Sequence, residues 1–286
     1  MAGRGHSKST AAYKKDMWAG QSKFLVVVRV RPINEQERRT SKDVTRVLDE
    51  KVVIIRDPAS DSKDILRQNR AQDRRYAFDH SFGPGASQEY VYNHTTKFVV
   101  EGVLNGFNAT VFAYGATGAG KTFTMLGNMD QPGLMVLTLT DLFRKITEWT
   151  NDRRLQFKVT LTYIEVYNEL IRDLLTPDSD VLDLREDPIK GPTVAGVTEL
   201  VCTSTGDVMT LLRRGNKQRT QEPTAANKES SRSHAVLQIS VEQTVGAPRA
   251  GGAVLSAHTM LTKRVCVCLF VRNTTASRRR WASCLW

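Results

Sequence analysis

Residues 109–122 read Ala109-Thr-Val-Phe-Ala-Tyr114-Gly115-Ala116-Thr117-Gly118-Ala119-Gly120-Lys121-Thr122, an apolar β-rich run that passes directly into a glycine-rich turn closed by lysine and threonine. The second half fits GxxxxGK[ST], and its setting fits as well, with a strand before it and a short helix-compatible segment after it. Glycines let the backbone curl until successive N–H groups face one phosphate, and the start of a helix adds partial positive charge. Lys121 is placed to reach β and γ phosphates, while Thr122 offers a hydroxyl to Mg2+. Residues Gly115, Ala116, Thr117, Gly118, Ala119, Gly120, Lys121 and Thr122 are therefore the expected cradle for a nucleotide's phosphates. Taken alone, this motif leaves kinases, transporters, GTPases and motors open.

Working outward, Phe24–Val30 (FLVVVRV) is a continuous apolar run closed by Arg31-Pro32, as expected of a buried strand that ends in a turn. Val52–Ile55 and Tyr76–Phe78 are short strand candidates around a charged loop. Ser87 is placed to cap one helix running to Gly106, with Val91, Thr95, Phe98, Val99 and Val103 on a 3.6-residue period. Val136–Trp149 reads as a second helix, Leu155–Tyr167 and Val194–Cys202 as strands, Thr205–Arg219 as a capped amphipathic helix, and Ser233–Val241 as a last strand. This alternation predicts an α/β fold: a mainly parallel central sheet with helices on both faces.

Charge and composition separate the ends from the middle. The net charge is +11, and residues 244–286 hold seven Lys or Arg and no Asp or Glu, leaving +4 for residues 1–243. A basic balance favours an acidic partner. No long uncharged apolar run suggests a membrane span, no apolar leader opens the chain, and the four cysteines show no metal-ligand spacing. Residues 1–22 are expected as a disordered lead, 23–243 as the folded body, and 244–286 as a basic tail that is disordered or adds one strand, Val265–Val271 (VCVCLFV) being the candidate.

A second motif selects among the nucleotide binders. Asn227-Lys-Glu-Ser230-Ser231-Arg232-Ser233-His234 resembles the switch I of kinesin motor domains. Phe112–Gly127 (FAYGATGAGKTFTMLG) is similar to their phosphate loop, and Arg29-Val30-Arg31-Pro32 to their adenine-side motif, all in the family's order. NGFNATVFAYGATGAGKT and Gly215–Asn227 (GNKQRTQEPTAAN) look closest to the kinesin-8 group. The resemblance implies the P-loop NTPase fold of kinesins, ATP and Mg2+ as cofactors, microtubules (tubulin) as partner, and a place in the cytoplasm on the cytoskeleton. By position it implies that Arg29, Arg31 and Pro32 flank the adenine, with Tyr92 stacking against it. It further implies that Ser231 contacts the γ phosphate, that Ser230 joins Thr122 in organising Mg2+, that Arg232 takes part in closure, and that Asn227 lies at the site's edge.

The family's switch II has the form DxxGxE, and no such string follows Val241. Its glutamate is the implied partner of Arg232, and the same region carries the main track-binding helix and the neck linker. The resemblance also implies that the switch II strand is central in the sheet, a gap that Val265–Val271 is the candidate to fill. From these residues the expectation divides between a microtubule-dependent ATPase and a module that holds nucleotide and, weakly, tubulin without turnover. A nucleic-acid binder is the third reading, and it rests on the basic tail alone, since no DNA or RNA motif accompanies it.

Overall fold

The computed structural model describes residues 15, 24–40, 42–56, 73–153, 155–176, 180–188, 191–219, 233–245 and 264–272. The expected lead, Lys15 apart, lies outside them, as do Asn227, Ser230, Ser231 and Arg232. The chain divides into two compact units: Met1–Gly102 with Asn108–Met135 and Lys263–Trp286, and Val103–Phe107 with Val136–Thr262.

In the first unit β1 (Phe24–Val30), β5 (His80–Phe82), β6 (Asn108–Tyr114) and β13 (Arg264–Arg272) form a wholly parallel sheet in the order β5-β1-β13-β6. Leu25, Val27, Val28 and Val30 of β1 are all buried, so both faces of the strand are covered, which is what an unbroken apolar run requires. The tail run Val265–Val271 lies inside β13, pairing Phe24 with Cys266 and Ala109 with Val265. It occupies the middle of this sheet, and β6 has no second strand neighbour among the described residues. A small antiparallel sheet of β2 (Thr45–Val47), β3 (Val52–Arg56) and β4 (Asp73–Ala77) belongs to the same unit.

Helix α1 (Glu35–Thr40) opens with Asn34 and Glu37 bonded reciprocally, the Glu37 amide donating to Asn34 Oδ1 at 2.7 Å and the Asn34 amide to Glu37 Oε2 at 3.1 Å. The single helix expected from Ser87 to Gly106 is two: α2 (Gln88–His94) and α3 (Lys97–Leu104). Ser87 caps the first, accepting from the Tyr90 amide at 3.1 Å, and Gly106 lies past the second with φ 83°. The break falls at Thr95 and Thr96, both fully buried. Thr95 returns its hydroxyl to the Val91 carbonyl at 2.6 Å, and its backbone leaves the helical region at φ −124°, ψ −71°. Such threonines satisfy a helical period in sequence while offering the backbone another partner, so periodicity alone passes over them.

The second unit is antiparallel where alternation suggested parallel. β7 (Leu155–Tyr167) and β12 (Ser233–Val245) pair antiparallel along their full length, with β8 (Leu170–Asp173) and β11 (Leu200–Cys202) on the other side of β7. Long excursions separate β7 from β12, so their sequence order leaves direction open. The strand expected over Val194–Cys202 is interrupted: β9 (Leu184–Asp187) and β10 (Gly191–Val194) make a hairpin, and Gly196, with φ 77°, turns the chain before β11. Helix α5 covers Leu134–Arg153. Helix α6 (Thr205–Gln218) starts on a Ser204–Asp207 capping box and buries Val208 and Leu212. Gly215 meets the Tyr163 ring so closely that a Cβ there would lie 2.6 Å from it. Among the described residues no helix is long and apolar enough to cross a membrane.

Candidate functional site

The turn quoted above connects β6 to α4 (Lys121–Met125). Gly118 and Gly120 adopt φ 76° and 95°, in the left-handed region that a side chain resists, and this is the physical need for glycine at these two places. Ala119 is fully buried and donates its amide to the Ala116 carbonyl at 3.1 Å, which anchors the loop from beneath. Ala116, Thr117 and Gly118 are exposed above it, as is Thr122, the second residue of α4.

Lys121 arches across the mouth of the loop, its Nζ donating to the carbonyls of Gly115 at 2.8 Å and Ala116 at 3.0 Å. Both acceptors are neutral, and no carboxylate pairs with Lys121 among the described residues. Burial pushes its ammonium below the ordinary lysine pKa. The arrangement is a half-buried cation on a curl of backbone, able to exchange weak neutral acceptors for a charged one. Past α4 the chain is held tightly: a Cβ on Gly127 would lie 2.1 Å from the Gln131 carbonyl oxygen, and the Gly133 amide donates to the Leu126 carbonyl at 2.9 Å.

The residues expected on the adenine side divide. Arg29, at the end of β1, turns into the protein and reaches α4, donating to Thr124 Oγ1 at 3.2 Å, while its guanidinium carbon lies 5.5 Å over the Phe123 ring. It also donates to Gln88 Oε1 at 2.6 Å and the Ala86 carbonyl at 3.1 Å, and burial lowers its pKa. Arg31 is paired with Glu37 at 2.5 Å, Pro32 is exposed, and Tyr92 is buried on α2, one turn beyond Gln88. Thus Arg29 is joined directly to α4, and Arg31 is engaged with α1. Sequence reasoning passed over Gln88, Thr124 and Glu37. The Ser87 cap places Gln88 in a first helical turn, yet no local signal announces that a neutral amide there is buried.

In the second unit the ends of the serine-rich segment are described. Arg219, next after α6, donates through Nε to Ser233 Oγ at 2.8 Å and through a terminal nitrogen to the Ser233 carbonyl at 2.6 Å. Ser233 in turn donates to Glu165, which is 1 % exposed and lies 3.8 Å from Arg219 Nε.

A family model described as the kinesin motor domain matches residues 29–261, extending past the boundary expected near residue 244. Kinesin-like protein KIF19 of Xenopus laevis is 50% identical over 228 residues, covering 78% of this chain and 23% of that protein. Kinesin-like protein KIN-8A of Oryza sativa subsp. japonica is 47% identical over 225 residues, covering 78% and 28% respectively. The chain thus spans about a quarter of the length of these relatives. A solved structure of KIF14, described as a dimer in a two-heads-bound state with AMP-PNP in complex with a microtubule, is similar with TM-score 0.69 and 31% identity, covering 78% of this chain and 62% of that one. A family model that matches residues 29–261, with relatives half identical over most of the chain, settles the affiliation: this protein belongs to the kinesin motor domain family.

Proposed function

We propose that this chain binds Mg-ATP in the loop Gly115–Thr122 and works as a kinesin-type microtubule motor. The observation that carries the reading is Lys121, a half-buried ammonium held, among the described residues, on the carbonyls of its own loop and therefore available to an anion. The donor set fits a nucleotide with its metal: backbone amides around Gly118 and Gly120, the Lys121 ammonium, and the exposed Thr122 hydroxyl for Mg2+. When bound, Mg2+ would neutralise charge on the phosphates. By their place in the family's motif, Ser231 contacts the terminal phosphate, Ser230 assists at the metal and Arg232 at closure, with Asn227 at the rim. Arg29, Arg31, Pro32 and Tyr92 make the base side. Microtubules are the partner, and the cytoplasmic cytoskeleton is the place of action. Relatives named as kinesin-like proteins support this reading.

One observation favours a second reading for these 286 residues alone: no DxxGxE string follows Val241. Under it the chain holds Mg-nucleotide, and tubulin weakly, without turnover. Hydrolysis of ATP by the purified chain, with and without microtubules and with Lys121→Ala as control, separates the two. Turnover stimulated by microtubules and lost in the control supports the motor. Nucleotide binding without turnover supports the second reading, and absence of nucleotide binding contradicts both.

A further inference from the structure

Between the phosphate loop and the end of β1 lies a polar strut that no motif announced. Gln88 is 4 % exposed and opens α2. Its Oε1 accepts from Arg29 at 2.6 Å, and its Nε2 donates to the Phe123 carbonyl at 2.6 Å. These two partners fix the amide's orientation, because the reverse would set N–H against guanidinium and oxygen against oxygen. Among the described residues Arg29 is buried on neutral acceptors, namely Gln88, Thr124 and the Ala86 carbonyl, with the Phe123 ring beneath its guanidinium. Phe123 follows Thr122 directly, so the strut ends one residue from the loop that faces the phosphates. Its other end holds an arginine two residues before Arg31-Pro32, and Tyr92 lies one turn further on the same face of α2.

We infer that Gln88 is a positioning residue for the nucleoside part of the ligand: it holds Arg29 against α4 and so fixes the spacing between the base side and the phosphate loop. The inference rests on the nucleotide-binding reading given above. A ligand with base, sugar and phosphates senses that spacing, whereas a bare polyphosphate touches only the loop. Gln88 thereby contributes to the preference for a nucleoside triphosphate over inorganic tripolyphosphate.

The test measures affinities of Mg-ATP and Mg-tripolyphosphate for the full chain and its variants by titration. Gln88→Ala removes the acceptor for a buried guanidinium and the donor to Phe123, and is expected to weaken ATP roughly tenfold while tripolyphosphate changes less than about twofold. Gln88→Glu keeps the acceptor for Arg29 but sets a carboxylate oxygen against the Phe123 carbonyl, and is expected to recover only part of the ATP affinity. Unchanged tripolyphosphate binding shows that the loop of the variant is folded. Equal weakening of both ligands would overturn the inference, since it describes a merely structural residue, and so would unchanged ATP affinity in Gln88→Ala. If the unaltered chain binds tripolyphosphate and ATP equally well, the base side contributes nothing and the inference fails while the phosphate loop stands. If it binds neither, the nucleotide reading itself fails and takes the inference with it.

Discussion

Lys121 and Arg29 in the first unit and Arg219 in the second are all cations tied down by hydrogen bonds, but their acceptors differ in kind. Lys121 and Arg29 rest on carbonyls, an amide and a hydroxyl, all neutral. Arg219 shares Ser233 with the buried carboxylate of Glu165, so its charge is answered within the protein. A cation held by neutral dipoles keeps its field for an incoming anion, whereas one set beside a buried carboxylate has spent it on the fold. The first arrangement suits a binding site; the second is a clasp between Arg219 and Ser233, which bracket the segment that carries Ser230 and Ser231.

Mutations separate the two. Lys121→Ala should weaken Mg-ATP binding by at least about a thousandfold, read with a fluorescent ATP analogue, because charge-assisted contacts to two phosphates vanish together. Its denaturant midpoint should scarcely move, since the side chain bridges two neutral carbonyls of its own loop, Gly115 and Ala116. Glu165→Ala should do the opposite, lowering stability by about 3 kcal/mol in urea unfolding as Arg219 and Ser233 lose their buried partner. A Lys121 variant that unfolds, or a Glu165 variant of full stability, would erase the distinction.

Gly120→Ala sharpens the picture on the loop side. A φ of 95° strains any side chain, so the variant should lose about 1 to 2 kcal/mol of stability and some ATP affinity together. Smallest of all is a pH effect away from both sites. Burial, then the neighbouring His94, pushes the pKa of His80 down, with Lys51 acting the same way and Glu50 opposing. The unfolded chain then binds the proton more readily, so stability is complete above about pH 6.5 and falls as the pH drops below it. Between pH 7.5 and 5.5 a His80→Gln variant should show a shallower fall in Tm than the parent chain, by no more than about one or two degrees.

Legibility in the sequence followed the range of the forces. The glycine-rich turn is read from Gly118, Gly120 and Lys121 because its geometry is local: positive φ needs glycine, and the lysine reaches carbonyls five and six residues back. The strands Phe24–Val30 and Leu155–Tyr167 emerge at their expected bounds, since apolar runs and alternation are also local. Gln88 was invisible because its partners lie 59 and 35 residues away, and nothing near it in sequence reports that distance. The same holds for the antiparallel return of β12 onto β7, whereas the tail run Val265–Val271 lies between β1 and β6, the central gap it was the candidate to fill. The break at Thr95 was missed for the opposite reason: it is local, but threonine fits a helical period, and the same hydroxyl bond to the i−4 carbonyl occurs at Thr140, Thr147 and Thr150 inside the unbroken α5, so residue type does not mark the break.

The central claim is that a neutral cradle leaves Lys121 free to hold a nucleotide. Its most direct test is titration of the full chain with a fluorescent ATP analogue in the presence of Mg2+, followed by displacement with unlabelled ATP. Saturable binding that ATP displaces and Lys121→Ala abolishes is the predicted result. No saturable binding by the unaltered chain, or binding that survives Lys121→Ala, would contradict it.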